Sequence, residues 1–175
     1  MKILKRIGIG LLVLVAILGL GGFLLPRHYH VERSRTIAAS TEAIQAQITD
    51  LQKWQAWNPW ADYDPAMKVI YGTPSAGLGA NMRWESSEMG NGSITITHIT
   101  ADSIREALDF GPDIVPPVTT FYFKPEGAGT NVRWAMSGDL GGNPFIRWYC
   151  LVMDRFIGRD YDKGLEKLAG IVEGK

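Results

Sequence analysis

The chain has 175 residues, 18 of them Lys or Arg and 18 Asp or Glu, which is neutral overall and leaves room for one domain of ordinary size. Three of the basic residues and none of the acidic ones precede Pro26, so the rest carries a net charge of −3. A mildly acidic domain without a basic stripe argues against nucleic-acid binding. The single cysteine, Cys150, forms no intramolecular disulfide and reads as a small buried apolar residue.

The N-terminus opens on Lys2, Lys5 and Arg6, and from Ile7 to Leu25 no charged or polar side chain occurs before Pro26. As a helix that run spans roughly 28 Å, about the hydrocarbon thickness of a bilayer. A cleaved signal peptide has a shorter apolar region, and Gly19-Leu20-Gly21 is a poor cleavage site. Residues 1–26 are therefore expected to form an uncleaved anchor, with a signal sequence as the alternative, and residues 27–175 the domain. Arg27, Arg33 and Arg35 follow the span, so the positive-inside comparison is nearly balanced. A short tail before a single span most often stays cytoplasmic, which places the domain outside the cytoplasm, in a periplasm or at the cell surface. The anchor has no GxxxG pair to suggest helix dimerisation.

His28 to Ile37 is a β-type stretch. Ser40 or Thr41 caps a helix, and Ile44, Ile48, Leu51 and Trp54 follow at i, i+4, i+7 and i+10 on one apolar face. Asn58-Pro59 ends it. From Met67 to Ser137 the signals are β-type: MKVIYG, GANMRWES, SITITHI, SIREALDF, TTFYFKP and TNVRWAMSG, separated by glycine-rich turns and a loop with Pro112, Pro116 and Pro117. Asn143 and Pro144 then start a long helix. Phe145, Tyr149, Val152 and Phe156 form its first apolar stripe, Gly158 is expected to kink or break it, and Tyr161, Leu165, Leu168 and Val172 resume the stripe. A curved antiparallel sheet that covers an apolar face with one long helix is an α+β architecture.

The segment Asp50-Leu51-x-x-Trp54-x-x-Trp57-x-Pro59-Trp60 after the first helix resembles the START-like (SRPBCC) superfamily, in its bacterial polyketide cyclase/dehydrase and lipid transport branch. Further matches are Gly77-x-Gly79-Ala80-x-x-x-Trp84-x-Ser86, Gly90-x-Gly92-Ser93, Leu108-x-Phe110, Gly129-Thr130-x-Val132-x-Trp134-x-Met136 and Ile157-Gly158-x-Asp160-Tyr161-x-x-Gly164-Leu165. The resemblance covers about residues 28 to 173, and its motifs are markers of fold, none of them a catalytic signature. It implies a helix-grip fold: a strongly bent antiparallel sheet wrapped around the C-terminal helix, with a cavity between them. Related folds bind lipids, sterols, plant hormones or polyketides there, although fold alone does not fix function.

If that cavity exists, strand alternation gives its lining: Met82 and Trp84; Ile94 and Ile96; Glu106 and Leu108 beside Ile104; Phe121 and Phe123; Trp134 and Met136 beside Val132. Phe145, Tyr149, Val152 and Phe156 would close it from the helix. Such an interior suits a mostly apolar ligand with one polar handle, and a filled core without ligand is the alternative. Glu106 is the one carboxylate in phase with the apolar positions. Turned inward it has a raised pKa and can act as acid or base or hold a ligand hydroxyl; at a strand end or after a register slip it faces solvent.

His28 and His30 share a strand face, but a metal site needs more ligands and His98 offers no partner motif. No nucleophilic triad and no Walker-type loop can be built, so neither metal nor cofactor is expected. Asp62 and Asp64 beside the tryptophans allow a cage for a quaternary ammonium group, against the simpler reading of Trp54, Trp57 and Trp60 as a core plug. The expected function is a membrane-anchored domain that binds a hydrophobic small molecule or lipid without transforming it, held to the membrane through residues 7–25. One alternative is a cyclase or dehydratase using Glu106 and a cavity tyrosine such as Tyr149. The other is an accessory partner of a membrane protein, for which a large exposed apolar patch would speak.

Overall fold

The computed structural model describes residues 2–112 and 114–174. Helix α1 (Lys2–Leu24) leads into strand β1 (His28–Ile37) and helix α2 (Thr41–Ile48), followed by the short helix α3 (Trp54–Trp57) between two 3₁₀ turns, Leu51–Lys53 and Pro59–Asp62. Six strands come next: β2 (Lys68–Tyr71), β3 (Asn81–Glu85), β4 (Gly92–Ile99), β5 (Ser103–Asp109), β6 (Val118–Glu126) and β7 (Gly129–Asp139). Helices α4 (Pro144–Arg147) and α5 (Cys150–Val172) close the chain.

The seven strands form one antiparallel sheet in the order β1-β7-β6-β5-β4-β3-β2, so only β1 crosses to a partner distant in sequence. A register shift in β4 between Ile96 and His98 adds local bend, as bulges do. Helix α5 packs against β1 and α3, and the apolar face of the sheet closes over it. The fold is α+β of helix-grip type.

The helix after Ser40 is shorter than its apolar spacing suggests. Ser40 caps it by accepting from the Ala43 N–H, but it stops at Ile48. Thr49 turns its hydroxyl back to the Gln45 carbonyl (2.8 Å), and Asp50 caps a new 3₁₀ turn through the Gln52 N–H. Ile44, Ile48, Leu51 and Trp54 are nevertheless all buried, because the broken segments keep presenting one side to the core.

The helix at the C-terminus also departs from expectation. Asn143 caps α4 by accepting from the Phe145 N–H (2.9 Å), yet the interruption falls at Trp148 and Tyr149, not at Gly158. Gly158 sits inside an unbroken α5 because a side chain there would strike the Arg33 guanidinium. That guanidinium crosses the helix to bond Asp154 (2.8 Å) and Asp162 (3.2 Å), tying the edge strand β1 to α5. In a straight helix the buried Tyr161, Leu165 and Leu168 extend back through Ile157 and Met153. Phe145, Tyr149, Val152 and Phe156, expected inside, are therefore on the outer surface. Cys150, expected buried, is half-buried for the same reason.

Aromatic rings join sheet and helix. Trp134 on β7 stacks on Tyr161 of α5 with centroids 3.9 Å apart and planes 5° apart, and on its other side on Phe121 of β6 at 4.7 Å. Trp54, Trp57 and Trp60 meet the same ring edge-on at 6.5, 5.7 and 5.8 Å. Gly164 leaves the space that the Trp134 ring and Pro59 occupy. Truncating a buried aromatic of this size costs about 3–5 kcal/mol. Trp134→Ala should therefore lower the unfolding free energy of the detergent-solubilised chain by about that amount in urea titrations. A loss of less than about 1 kcal/mol would remove Trp134 from its central place, since even typical point mutations cost that much.

Candidate functional site

A cavity of about 190 Å³ lies between the sheet and α5. The strands contribute Met82 and Trp84, Ile94, Leu108 and Met136, and α5 closes it with Ile157 and Tyr161. The helical segments add Gln55, Asn58 and Trp60, and Met67, Val69, Met89 and Phe110 complete the wall. Its floor is buried, while Met89 and Phe110 are exposed at its rim. Trp84 meets Phe110 edge-on at 5.8 Å, and Gly92, opposite Trp84 in the ladder, is the residue whose missing side chain leaves room for that indole.

Four of the six methionines, Met67, Met82, Met89 and Met136, line this wall. Methionine is unbranched and polarisable, so such a wall adapts to ligands of different shape. The polar groups are few. Asn58 accepts from the Trp60 N–H through its side-chain oxygen (2.9 Å). The Tyr161 hydroxyl makes no hydrogen bond among the described residues, although burial and the nearby Glu106 and Tyr29 raise its pKa well above the phenolic value.

Five of the residues expected from strand alternation are thus brought together here: Met82, Trp84, Ile94, Leu108 and Met136. Ile96, Phe121, Phe123 and Trp134 also face inward, but they are packed into the core beneath the cavity. Phe145, Tyr149, Val152 and Phe156 are exposed outside it, Tyr149 at 63%. Among the residues not foreseen, Met67 and Val69 belong to the edge strand's own alternation, Val69 pairing with the lining residue Trp84. Phe110 is two residues beyond Leu108 in phase. Gln55, Asn58, Ile157 and Tyr161 depend on how the helices dock, which periodicity does not report.

Glu106 points inward and is buried. Thr119 Oγ1 donates to its Oε2 (3.1 Å), and Oε1 has no partner among the described residues. Burial pushes its pKa up to about 8, with the Thr119 bond opposing weakly, so the carboxyl is held mostly neutral at pH 7. It is packed below the lining residues and not among them.

Other polar groups singled out in the sequence are engaged elsewhere. Asp62 pairs with Lys167 (2.5 Å), while Asp64 accepts from Ser86 (2.6 Å) and the Ala66 N–H (3.0 Å). With Trp54 and Trp57 fully buried, these carboxylates and rings do not form an open cage. His30 bonds Ser137 (2.8 Å) and Glu32 (3.1 Å) across and along the sheet.

The model of the family described as "Polyketide cyclase / dehydrase and lipid transport" matches residues 28–173. Among solved structures, a crystal structure of a Chromobacterium violaceum protein superposes with a TM-score of 0.61 at 15% identity, covering 83% of this chain and 98% of that one. The solution structure of the KanY protein gives 0.63 at 19% identity over 83% and 98%. The di-domain aromatase/cyclase StfQ of the steffimycin biosynthetic pathway gives 0.65 at 10% identity, over 84% of this chain and 51% of that one. At these identities the likeness is one of fold. No curated protein matches the chain.

The buried carboxyl leaves a pH signature. Its folded pKa of about 8 lies above the unfolded value of 4.5, so its contribution is complete below pH 4.5 and lost as pH rises to about 8. The total loss is on the order of a few kcal/mol. Glu106→Gln should remove most of this decline when unfolding free energies are compared between pH 5 and 8. A variant with the same pH dependence as the parent would show that Glu106 ionises freely in the folded state.

Proposed function

The chain belongs to the polyketide cyclase / dehydrase and lipid transport family, and from that premise we propose that it is a membrane-anchored domain that binds a hydrophobic small molecule or lipid without transforming it. The observation that carries this reading is the methionine-rich apolar cavity with a buried floor and an exposed rim. Apolar cavities that keep one or two convergent polar groups are the usual form of a hydrophobic-ligand site. Here the Tyr161 hydroxyl and Asn58 supply the handle, so a ligand with one hydroxyl or carbonyl at the end of an apolar body fits best.

Anchoring is supported by α1, which carries no charged or polar side chain beyond Arg6 and of whose 23 residues Gly22 alone is buried. A helix so apolar and so exposed is not a core element, and a bilayer is the solvent that suits it. In this reading residues 1–26 are the anchor and residues 27–175 the binding domain, held outside the cytoplasm.

The binding reading rather than a catalytic one is supported by the placement of the acid/base groups. Glu106 lies beneath the cavity wall and Tyr149 on the outer surface, and Tyr161, the tyrosine that does line the cavity, makes no hydrogen bond to Glu106, whose one side-chain partner among the described residues is Thr119. Acid/base catalysis needs both groups within hydrogen-bond reach of the reacting atoms.

Mass spectrometry of the organic extract of the purified full-length chain tests this. A hydrophobic molecule should co-purify in near-stoichiometric amount, and Leu108→Trp, which fills the cavity, should reduce it at least tenfold while leaving the circular dichroism spectrum unchanged. Equal amounts of the same lipids in parent and variant would assign them to the anchor alone and end the cavity reading.

A further inference from the structure

Two exposed apolar surfaces flank the cavity, and α1 reports where they stand relative to a bilayer. The first is the outer face of α4 and the start of α5. Tyr149, Val152 and Phe156, at i, i+3 and i+7, form a stripe that Phe145 begins one turn earlier. Continued along the helix, the same line becomes Arg159, Lys163 and Lys167, two of which bond Tyr63 and Asp62. One helix face thus changes from apolar to charged partway along its length, which no core contact explains.

Helix α1 packs against α4 at this end. Trp148 Nε1 donates to the Leu18 carbonyl (3.0 Å), and Arg147 lies over the Phe23 ring at 5.6 Å. A side chain at Gly22 would collide with the Pro144 carbonyl, and one at Gly21 would press on the Trp148 ring. The close approach therefore depends on those glycines. Leu18 is about 10 Å short of Leu25 at 1.5 Å per residue. Helix α4 is consequently fixed at a depth about 5–10 Å inside the end of the apolar run, the depth at which interfacial helices bury their apolar face.

The second surface is the loop between β5 and β6 with the first residue of β6, where Ile114, Val115 and Val118 are exposed beside the cavity residue Phe110. The ladder shows that it stands at the same end of the sheet. His28 at the start of β1 pairs with Asp139, Val118 pairs with Ser137, and Ala107 pairs with Val118. Phe110 and Met89 at the cavity rim thus lie at the anchor end of the domain.

We propose that this end of the domain lies on the bilayer surface, with the Tyr149–Phe156 stripe at the headgroup–acyl boundary and the cavity rim facing the lipid. The proposal rests on the reading of α1 as a bilayer span. A ligand then passes between bilayer and cavity without crossing bulk water. Tyr149 and Trp148 supply the amphipathic rings that favour the membrane–water interface, and Arg147 snorkels from it.

The test uses the full-length chain with Cys150→Ser in phosphatidylcholine nanodiscs, carrying one fluorescent label at a time at Tyr149→Cys, Phe156→Cys, Leu12→Cys or Ala128→Cys. Ala128 sits in the β6–β7 turn at the opposite end of the sheet. Labels at 149 and 156 should be quenched by shallow lipid nitroxides at least threefold more than the label at 128 and be shielded from aqueous iodide. The label at 12 should respond to deep nitroxides. If 149 and 156 behave like 128 while 12 is buried, the span stands and the docking is wrong. If 12 also behaves like 128, the span is wrong and the docking falls with it.

Discussion

The Trp134 indole is held between Phe121 on the neighbouring strand and Tyr161 on α5, with planes 24° and 5° from its own. This stack sets the separation of sheet and helix. Each aromatic pair contributes about 0.5–1.5 kcal/mol beyond the area it buries. Trp54, Trp57 and Trp60 add edge-on contacts, so the short helical segments after β1 are held by the same ring. Toward the α1 end the filling changes from stacked rings to flexible methionines, and the cavity opens there. The aromatic plug and the ligand space are two parts of one gap between sheet and helix.

Glu106 belongs to the boundary between those parts. A neutral carboxyl with one unpartnered oxygen in an apolar setting lowers stability relative to an apolar residue of the same shape. Its presence under a cavity wall, with the Tyr161 ring close enough to feel its charge, gives the interior a polar point without placing a charge in it at pH 7.

Much of the fold was legible in the sequence. Period-two alternation located the strands, because each has one face on the core and one on solvent, and Trp84, Met82 and Ile94 followed from it directly. The helical half was harder to read. The stripe of Phe145, Tyr149, Val152 and Phe156 has the spacing of a core face, and periodicity cannot tell an apolar face turned to the core from one turned outward. Assigning it to the core forced a kink at Gly158 to bring Tyr161 back into phase. The straight helix removes that kink and turns the stripe outward. The glycine answers to the Arg33 guanidinium, a contact from β1 that lies 125 residues earlier and that no local pattern reveals. Of the three clustered tryptophans, Trp54 and Trp57 are the core plug their spacing suggests, while Trp60 packs on Trp134 and also faces the cavity.

Helix α1, the apolar stripe and the cavity rim stand at one end of the molecule, and the paired Lys163 and Lys167 begin where that surface stops. A hydrophobic ligand in the cavity is the claim on which this arrangement depends. Photo-crosslinking is its most direct test: the full-length chain in membranes containing a diazirine-bearing fatty acid, followed by mapping of the modified peptides. Adducts at cavity residues such as Met82, Leu108 and Ile157, in addition to those on α1, are the expected result. Adducts confined to α1, with the cavity residues unmodified, would contradict it.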